Sequence, residues 1–208
     1  MNILENIEAI IFDLGGVIIN IDFNLTLQAL EKYTHKRIGR GEYLSKHPIF
    51  YEFETGKLSE NEFFEKLKDA YELTASKEEL IEAWNTLLLD IPIERVELIS
   101  SLSERYATFI LSNTNPTHLI EVENILNRQT RVKSLSNLVH KPYYSFDMGK
   151  AKPEAAIYQE VMQENKLIAH KTLFIDDSQA NIEAAKALGL QTLLIRPSHN
   201  SILDFLHT

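Results

Sequence analysis

The 208-residue chain has no cysteine, which excludes disulfides, thiolate metal sites and cysteine nucleophiles. It has no basic excess either: 21 Lys and Arg face 30 Asp and Glu, for a formal net charge of −9. Nonspecific attachment to nucleic acid or to an anionic membrane needs a basic face, so neither partner is expected. An anionic substrate would require a local cluster of positive charge or a metal. No apolar run approaches the roughly 18 residues of a membrane span. The opening residues MNILENIEAI lack a basic segment followed by an apolar core, so they do not read as a signal peptide. The expectation is a cytoplasmic protein, and nothing in the sequence requires more than a monomer. Low-complexity tracts are missing too. With 44% hydrophobic residues a folded protein is expected, and the chain is long enough for one sizeable core, or for a core plus a small inserted domain.

What is present is a series of short apolar runs. Residues 8–12, 107–111, 172–176 and 191–195 read as strands, and helical patterns occupy 154–165 after Pro153 and 179–188, the latter closed by Gly189 as a C-cap. Strands alternating with helices predict βαβ units and an α/β parallel sheet. Residues 23–90 differ. FNLTLQALEKY, EYLSKHPIFYEF, ENEFFEKLKDAYEL and KEELIEAWNTLLL carry helical spacing with no β-like run between them. Ser59 with Glu62 and Ser76 with Glu79 match the capping-box pattern, and Thr55-Gly56-Lys57 reads as a turn. A small helical bundle inserted after the first strand is expected, with Pro92 restarting the α/β pattern in a helix over 93–104.

The strand-like runs end in chemistry-bearing residues. The first, continuous and apolar, stops at Asp13 and is followed by Leu14-Gly15-Gly16. The second ends in Ser112-Asn113-Thr114, and the third in Asp176-Asp177-Ser178. Lys152 precedes Pro153 at an expected helix start. Each has an ordinary reading: an Asp or Ser-Asn-Thr after a strand serves as a turn or helix cap, and a lone lysine is commonly solvated. In a parallel sheet, however, all four gather at one edge, where open α/β folds place their ligands. Adjacent carboxylates there repel unless a hard cation such as Mg²⁺ joins them through oxygen ligands. A phosphate could then enter, held by Ser112, nearby backbone N–H groups and Lys152. Asp13 would attack in line to form an aspartyl-phosphate that water later hydrolyses.

In this set the chain resembles the haloacid dehalogenase superfamily of phosphohydrolases, in the branch with a helical cap after the first strand. The matching stretches are FDLGGV (12–17), LSNTN (111–115), GKAKPEAAIY (149–158) and FIDDSQANIEAA (174–185). The resemblance implies a Rossmann-like core from residues 1–22 and 91–208, closed over a small phosphorylated metabolite by a cap at 23–90. It assigns Asp13 as nucleophile, and Ser112 and Lys152 to the phosphate, with Asn113 beside them on the substrate side. Asp177 and Asp13 become Mg²⁺ ligands, and Asp176 a ligand or a partner just behind them.

The chain departs from that pattern at Gly15, where the family usually carries a second aspartate that protonates the leaving group and then activates water. Glycine still offers its backbone carbonyl to the metal, but the acid is gone, a loss typically worth about 10²–10⁴-fold in rate. A subset resembling this chain shares the Asp-Leu-Gly form and includes phosphatases of small sugar phosphates. Esters with good leaving groups, such as sugar 1-phosphates, fit a site short of an acid. The alternatives are a low-turnover protein that binds or senses phosphometabolites, and a relative that cleaves C–P or C–halide bonds. The acidic pair at 176–177 argues against the halide variant. A phospho-acceptor signalling domain is disfavoured because its acidic pair would end the first strand. Asp22 reads as a helix cap or hinge residue. Phe50, Tyr51, Phe53, Phe63, Phe64 and Trp84 read as cap core, with one or two facing substrate. The histidines at 35, 47, 118, 140, 170, 199 and 207 show no metal spacing, and most are expected at the surface.

Overall fold

The structure is a computed structural model that describes residues 3–35, 38 and 47–206. Five strands, β1 (Ala9–Phe12), β2 (Ala107–Ser112), β3 (Lys141–Tyr144), β4 (Thr172–Asp176) and β5 (Gln191–Leu194), form one sheet in the order β3-β2-β1-β4-β5. Every pairing is parallel, so all five carboxyl ends share one edge. The strand β3 was not foreseen. Its sequence KPYY carries a proline and little burial, and it lies at the sheet margin, where a missing N–H is tolerated.

The pleat divides the interior. Ile10 and Phe12 of β1 join Ile110, Leu173 and Ile175 on one face, packed by α5 (Ile93–Ser103), α6 (Pro116–Gln129) and α7 (Leu135–Leu138). Ala9 and Ile11 join Phe109, Leu111 and Phe174 on the other, under α9 (Ala155–Glu164) and α10 (Gln179–Ala187). Strands buried on both faces are why these runs read as continuously apolar. The helix α6 was not anticipated, although Asn115 caps it by accepting from His118 N and Pro116 opens it. The short α8 (Ser145–Met148) follows β3.

Residues 23–85 supply α1 (Phe23–Glu31), α2 (Pro48–Glu54), α3 (Glu60–Tyr71) and α4 (Lys77–Asn85). They bury a separate apolar cluster centred on Leu30, Phe53, Phe63, Leu67 and Leu80. Both expected capping boxes are present, at Ser59 with Glu62 and Ser76 with Glu79, and Asp22 caps α1 through Asn24 N. Residues 36–37 and 39–46 of the expected helical stretch lie outside the described residues. The bundle connects to the sheet through two crossing segments, where Asp22 N donates to Leu87 O, Leu89 N to Asn20 O and Asn20 N to Asp90 O.

Two expectations need correction here. Pro153 does not begin α9: Glu154 is the N-cap and Pro153 lies in the turn before it. Tyr51 is not cap core but exposed, and its hydroxyl donates to Glu154 Oε1 at 2.8 Å. Phe50, Phe53, Phe63, Phe64 and Trp84 are buried as expected.

Candidate active site

The carboxyl edge of the sheet collects Asp13, Ser112, Lys152, Asp176 and Asp177. Asp13 follows β1 directly, and its backbone N–H donates to Ile175 O of the neighbouring strand. That bond places its carboxylate beside those that end β4. Lys152, fully enclosed, reaches in from the turn after α8, and its Nζ lies 2.8 Å from Asp13 Oδ1, 2.7 Å from Asp176 Oδ2 and 2.8 Å from Leu111 O. Burial acts to lower the Lys152 pKa, but the Asp13 and Asp176 charges outweigh it and hold the ammonium above its ordinary value. Asp13 has the opposite problem. Burial, together with the charges of Asp176 and Asp177, raises its pKa to about 7 despite Lys152.

Asp176 is saturated. Besides Lys152 it accepts from Ser178 N at 2.8 Å and from both approaches of Asn181 Nδ2, at 3.0 and 3.1 Å. Asn181, one turn into α10, is a part of the site that the strand-end pattern does not reveal. Asp177 is half-buried, and burial followed by the charge of Asp176 raises its pKa. It packs against Gly16, at φ +71°, where a Cβ would come within 2.3 Å of Asp177 Oδ2. The glycine therefore makes room for the acid as well as for the turn. Asp13, Asp176 and Asp177 each present an oxygen within 4.8 Å of the others. Such a donor set, unwilling to ionise fully by itself, fits a hard divalent cation.

Ser112 closes β2, and its hydroxyl makes no hydrogen bond to a described residue. Asn113 lines the cavity beside the sheet edge and also holds the lysine: its Nδ2 donates to Lys152 O at 2.8 Å, and its Oδ1 accepts from Lys152 N at 2.9 Å. Its amide clasps the backbone of the lysine and so fixes where the ammonium stands. Thr114 N donates to Ser145 Oγ, which in turn donates to Thr114 O.

At position 15 the space a side chain would enter is occupied. A Cβ on Gly15 would meet Ile21 Cδ1 at 3.1 Å. Gly15 and Ile21 belong to the wall of a cavity of about 140 Å³ between the sheet edge and the helical bundle. Leu14, Ser112 and Thr114 line it from the core, and Phe23, Phe50, Glu54, Trp84 and Leu87 from the bundle. His118 also lines it, an exception among the histidines, most of which were expected at the surface. It is buried and stacked on Trp84 at 4.9 Å; Asn115 Nδ2 lies 3.0 Å from its Nδ1, and Trp84 O 3.2 Å from its Nε2. Burial lowers its pKa to about 4. His35, His140, His170 and His199 are exposed and His47 half-buried; His207 lies outside the described residues.

Comparison with known proteins agrees with this geometry. Residues 7–189 match the family model of haloacid dehalogenase-like hydrolases. A D-ribitol-5-phosphate phosphatase of Bacteroides thetaiotaomicron is 32% identical over 187 residues, covering 89% of this chain and 90% of its own. A haloacid dehalogenase family enzyme from the same organism, solved as a magnesium complex, superposes with a TM-score of 0.83 at 29% identity, covering 94% of this chain and 96% of its own. A haloacid dehalogenase-like hydrolase of Porphyromonas gingivalis gives 0.84 at 31% identity over 93% of each chain. Among the described residues no helix is long and apolar enough to cross a membrane.

Proposed function

Because the chain belongs to the haloacid dehalogenase-like hydrolases, we propose that it is a Mg²⁺-dependent phosphatase of a small sugar or sugar-alcohol phosphate, acting through an aspartyl-phosphate on Asp13. The observation that carries this reading is Lys152, buried between Asp13 and Asp176 and bonded to both. A solvated or merely structural lysine has no reason to be locked at the end of β1. The relative that acts on D-ribitol 5-phosphate and the neighbour solved with magnesium and inorganic phosphate support the substrate class and the ion.

In this reading Asp13 and Asp177 hold Mg²⁺ with their carboxylates and Gly15 with its carbonyl, while Asp176 serves from behind by orienting Lys152. The bound ion supplies positive charge that lets a phosphate dianion enter among carboxylates. The free Oδ of Asp13 attacks phosphorus, Ser112 donates to a phosphoryl oxygen, and Lys152 stays charged to stabilise the transferring group. The helical bundle covers the cavity at the sheet edge and, in the cytoplasm, admits a small metabolite to a monomer.

A panel of phosphate monoesters, including ribitol 5-phosphate and sugar 1-phosphates, tests this with and without Mg²⁺. Turnover is expected only with the ion, and Asp13→Asn should remove it by about 10⁴-fold or more. Hydrolysis that survives either change sinks the reading. Trace rates on every ester, with tight phosphate binding, would favour a sensor instead.

A further inference from the structure

We propose that Glu54, reaching from the end of α2 into the cavity, is the catalytic acid and base of this site and replaces the carboxylate that position 15 lacks. The inference rests on the phosphatase reading above and deepens it. Two titratable side chains line the cavity, Glu54 and His118. His118 has both ring nitrogens occupied, by Asn115 and by Trp84 O, so it cannot deliver a proton. Glu54 is the opposite case: its carboxylate has no hydrogen bond or ion pair with any described residue, while the acids at the sheet edge are cross-bonded or crowded together. From the bundle side it lines the same cavity that Leu14, Gly15 and Ser112 line from the core.

The local sequence holds it there. Thr55 Oγ1 donates to Tyr51 O at 2.6 Å, closing the end of α2, and Tyr51 anchors that helix to Glu154 of the core. Gly56 follows at φ +69° and seats the turn on the core so closely that a Cβ would lie 2.3 Å from Phe146 O. Glu54 is thereby fixed to the core although it belongs to the cap. Burial raises its pKa to about 7, with Lys152 pulling the other way, so neither protonation state is costly near neutral pH. That is the property an acid needs when it must serve as a base in the next step.

Asp13 Oδ forms a bond to phosphorus as the bond to the leaving oxygen breaks, and the Glu54 carboxyl gives its proton to that oxygen. The Glu54 carboxylate then takes a proton from water as the water oxygen attacks phosphorus. The bond to Asp13 breaks, which releases phosphate and leaves Glu54 protonated again.

Glu54→Gln separates this role from a structural one when p-nitrophenyl phosphate, whose leaving group needs no proton, is compared with the best alkyl monoester of the panel. For the alkyl ester kcat should fall by about 10²–10³-fold with KM nearly unchanged. For the aryl ester the first turnover should keep its wild-type rate and appear as a burst, followed by slow turnover while phosphorylated Asp13 accumulates. Glu54→Asp should recover part of the alkyl rate. A Glu54→Gln enzyme with wild-type kcat on the alkyl ester, with only KM changed, or with burst and alkyl rates slowed alike, overturns the proposal. Loss of the burst in Asp13→Asn reports on the underlying phosphatase reading instead.

Discussion

The two ends of this site are built on opposite rules. At the sheet edge charged groups hold one another: Lys152 bridges Asp13 and Asp176, Asn181 and the Ser178 amide close off Asp176, and Asn113 clamps the backbone of the lysine. At the cap end the wall is mostly apolar and a single carboxylate, Glu54, has no hydrogen bond or ion pair among the described residues. The first arrangement is fixed before any ligand arrives, as suits a group of constant shape and charge. The second leaves shape to Phe23, Phe50, Trp84 and Leu87, and proton transfer to one titrating group. Chemistry common to many phosphate esters therefore sits on the strands, and discrimination among them on the helical insert.

The polar end can be broken at Lys152. Lys152→Met keeps the apolar stem but leaves Asp13 and Asp176 facing each other without a cation. We expect kcat/KM to fall on the order of 10³-fold, the scale of losing one preorganised charge at a transferring group. In Mg²⁺-free buffer urea unfolding should show a loss of about 3–5 kcal/mol, as for a buried pair deprived of one partner. Mg²⁺ should restore much of the stability and little of the rate. Equal destabilisation with and without the ion would mean that the acids do not share it.

The contrast in legibility follows the same division. Asp13, Ser112 and the 176–177 pair could be found because each ends an apolar run, and a parallel sheet brings such ends together whatever the loops do. Capping boxes at Ser59 and Ser76 were equally readable, being local hydrogen-bond patterns. The edge strand β3 was hidden by Pro142 and by exposure, which remove the apolar signature that marks the central strands. Glu54 and His118 carried no signal in sequence. Their roles depend on α2 docking against α8 and α4 against α6, contacts between residues 30 to 100 positions apart that no periodicity encodes. Asn181 stood inside a recognised stretch, but its bond to Asp176 appears only once α10 starts where it does.

His118 stands at the joint between the two ends. Its pKa is about 4 in the folded protein against roughly 6.5 when unfolded, so below pH 6.5 the unfolded chain gains a proton that the native ring refuses. Its contribution is complete above pH 6.5 and is lost as pH falls towards 4, a change of about 3 kcal/mol. Urea midpoints measured across this window should slope downward, and His118→Gln should flatten the slope while lowering stability at pH 7. An unchanged slope in the variant would assign the acid sensitivity to other groups.

The smallest effect is expected at Gly15, and it bears most directly on how the work is divided. The backbone there is not left-handed, and the obstacle to a side chain is the flexible end of Ile21 at 3.1 Å. Displacing it from its rotamer costs about 0.5–1.5 kcal/mol, so Gly15→Asp should fold. With Glu54 in place a second acid is redundant, and kcat on the alkyl ester should stay within about threefold of wild type. In a Glu54→Gln background the same substitution, given room by Ile21→Ala, should recover about tenfold or more of what was lost. The two sites are then coupled rather than additive, as groups sharing one role must be. A large gain from Gly15→Asp in the otherwise unaltered enzyme would mean that the cap end supplies no acid, and the division of labour between strands and cap would fall with it.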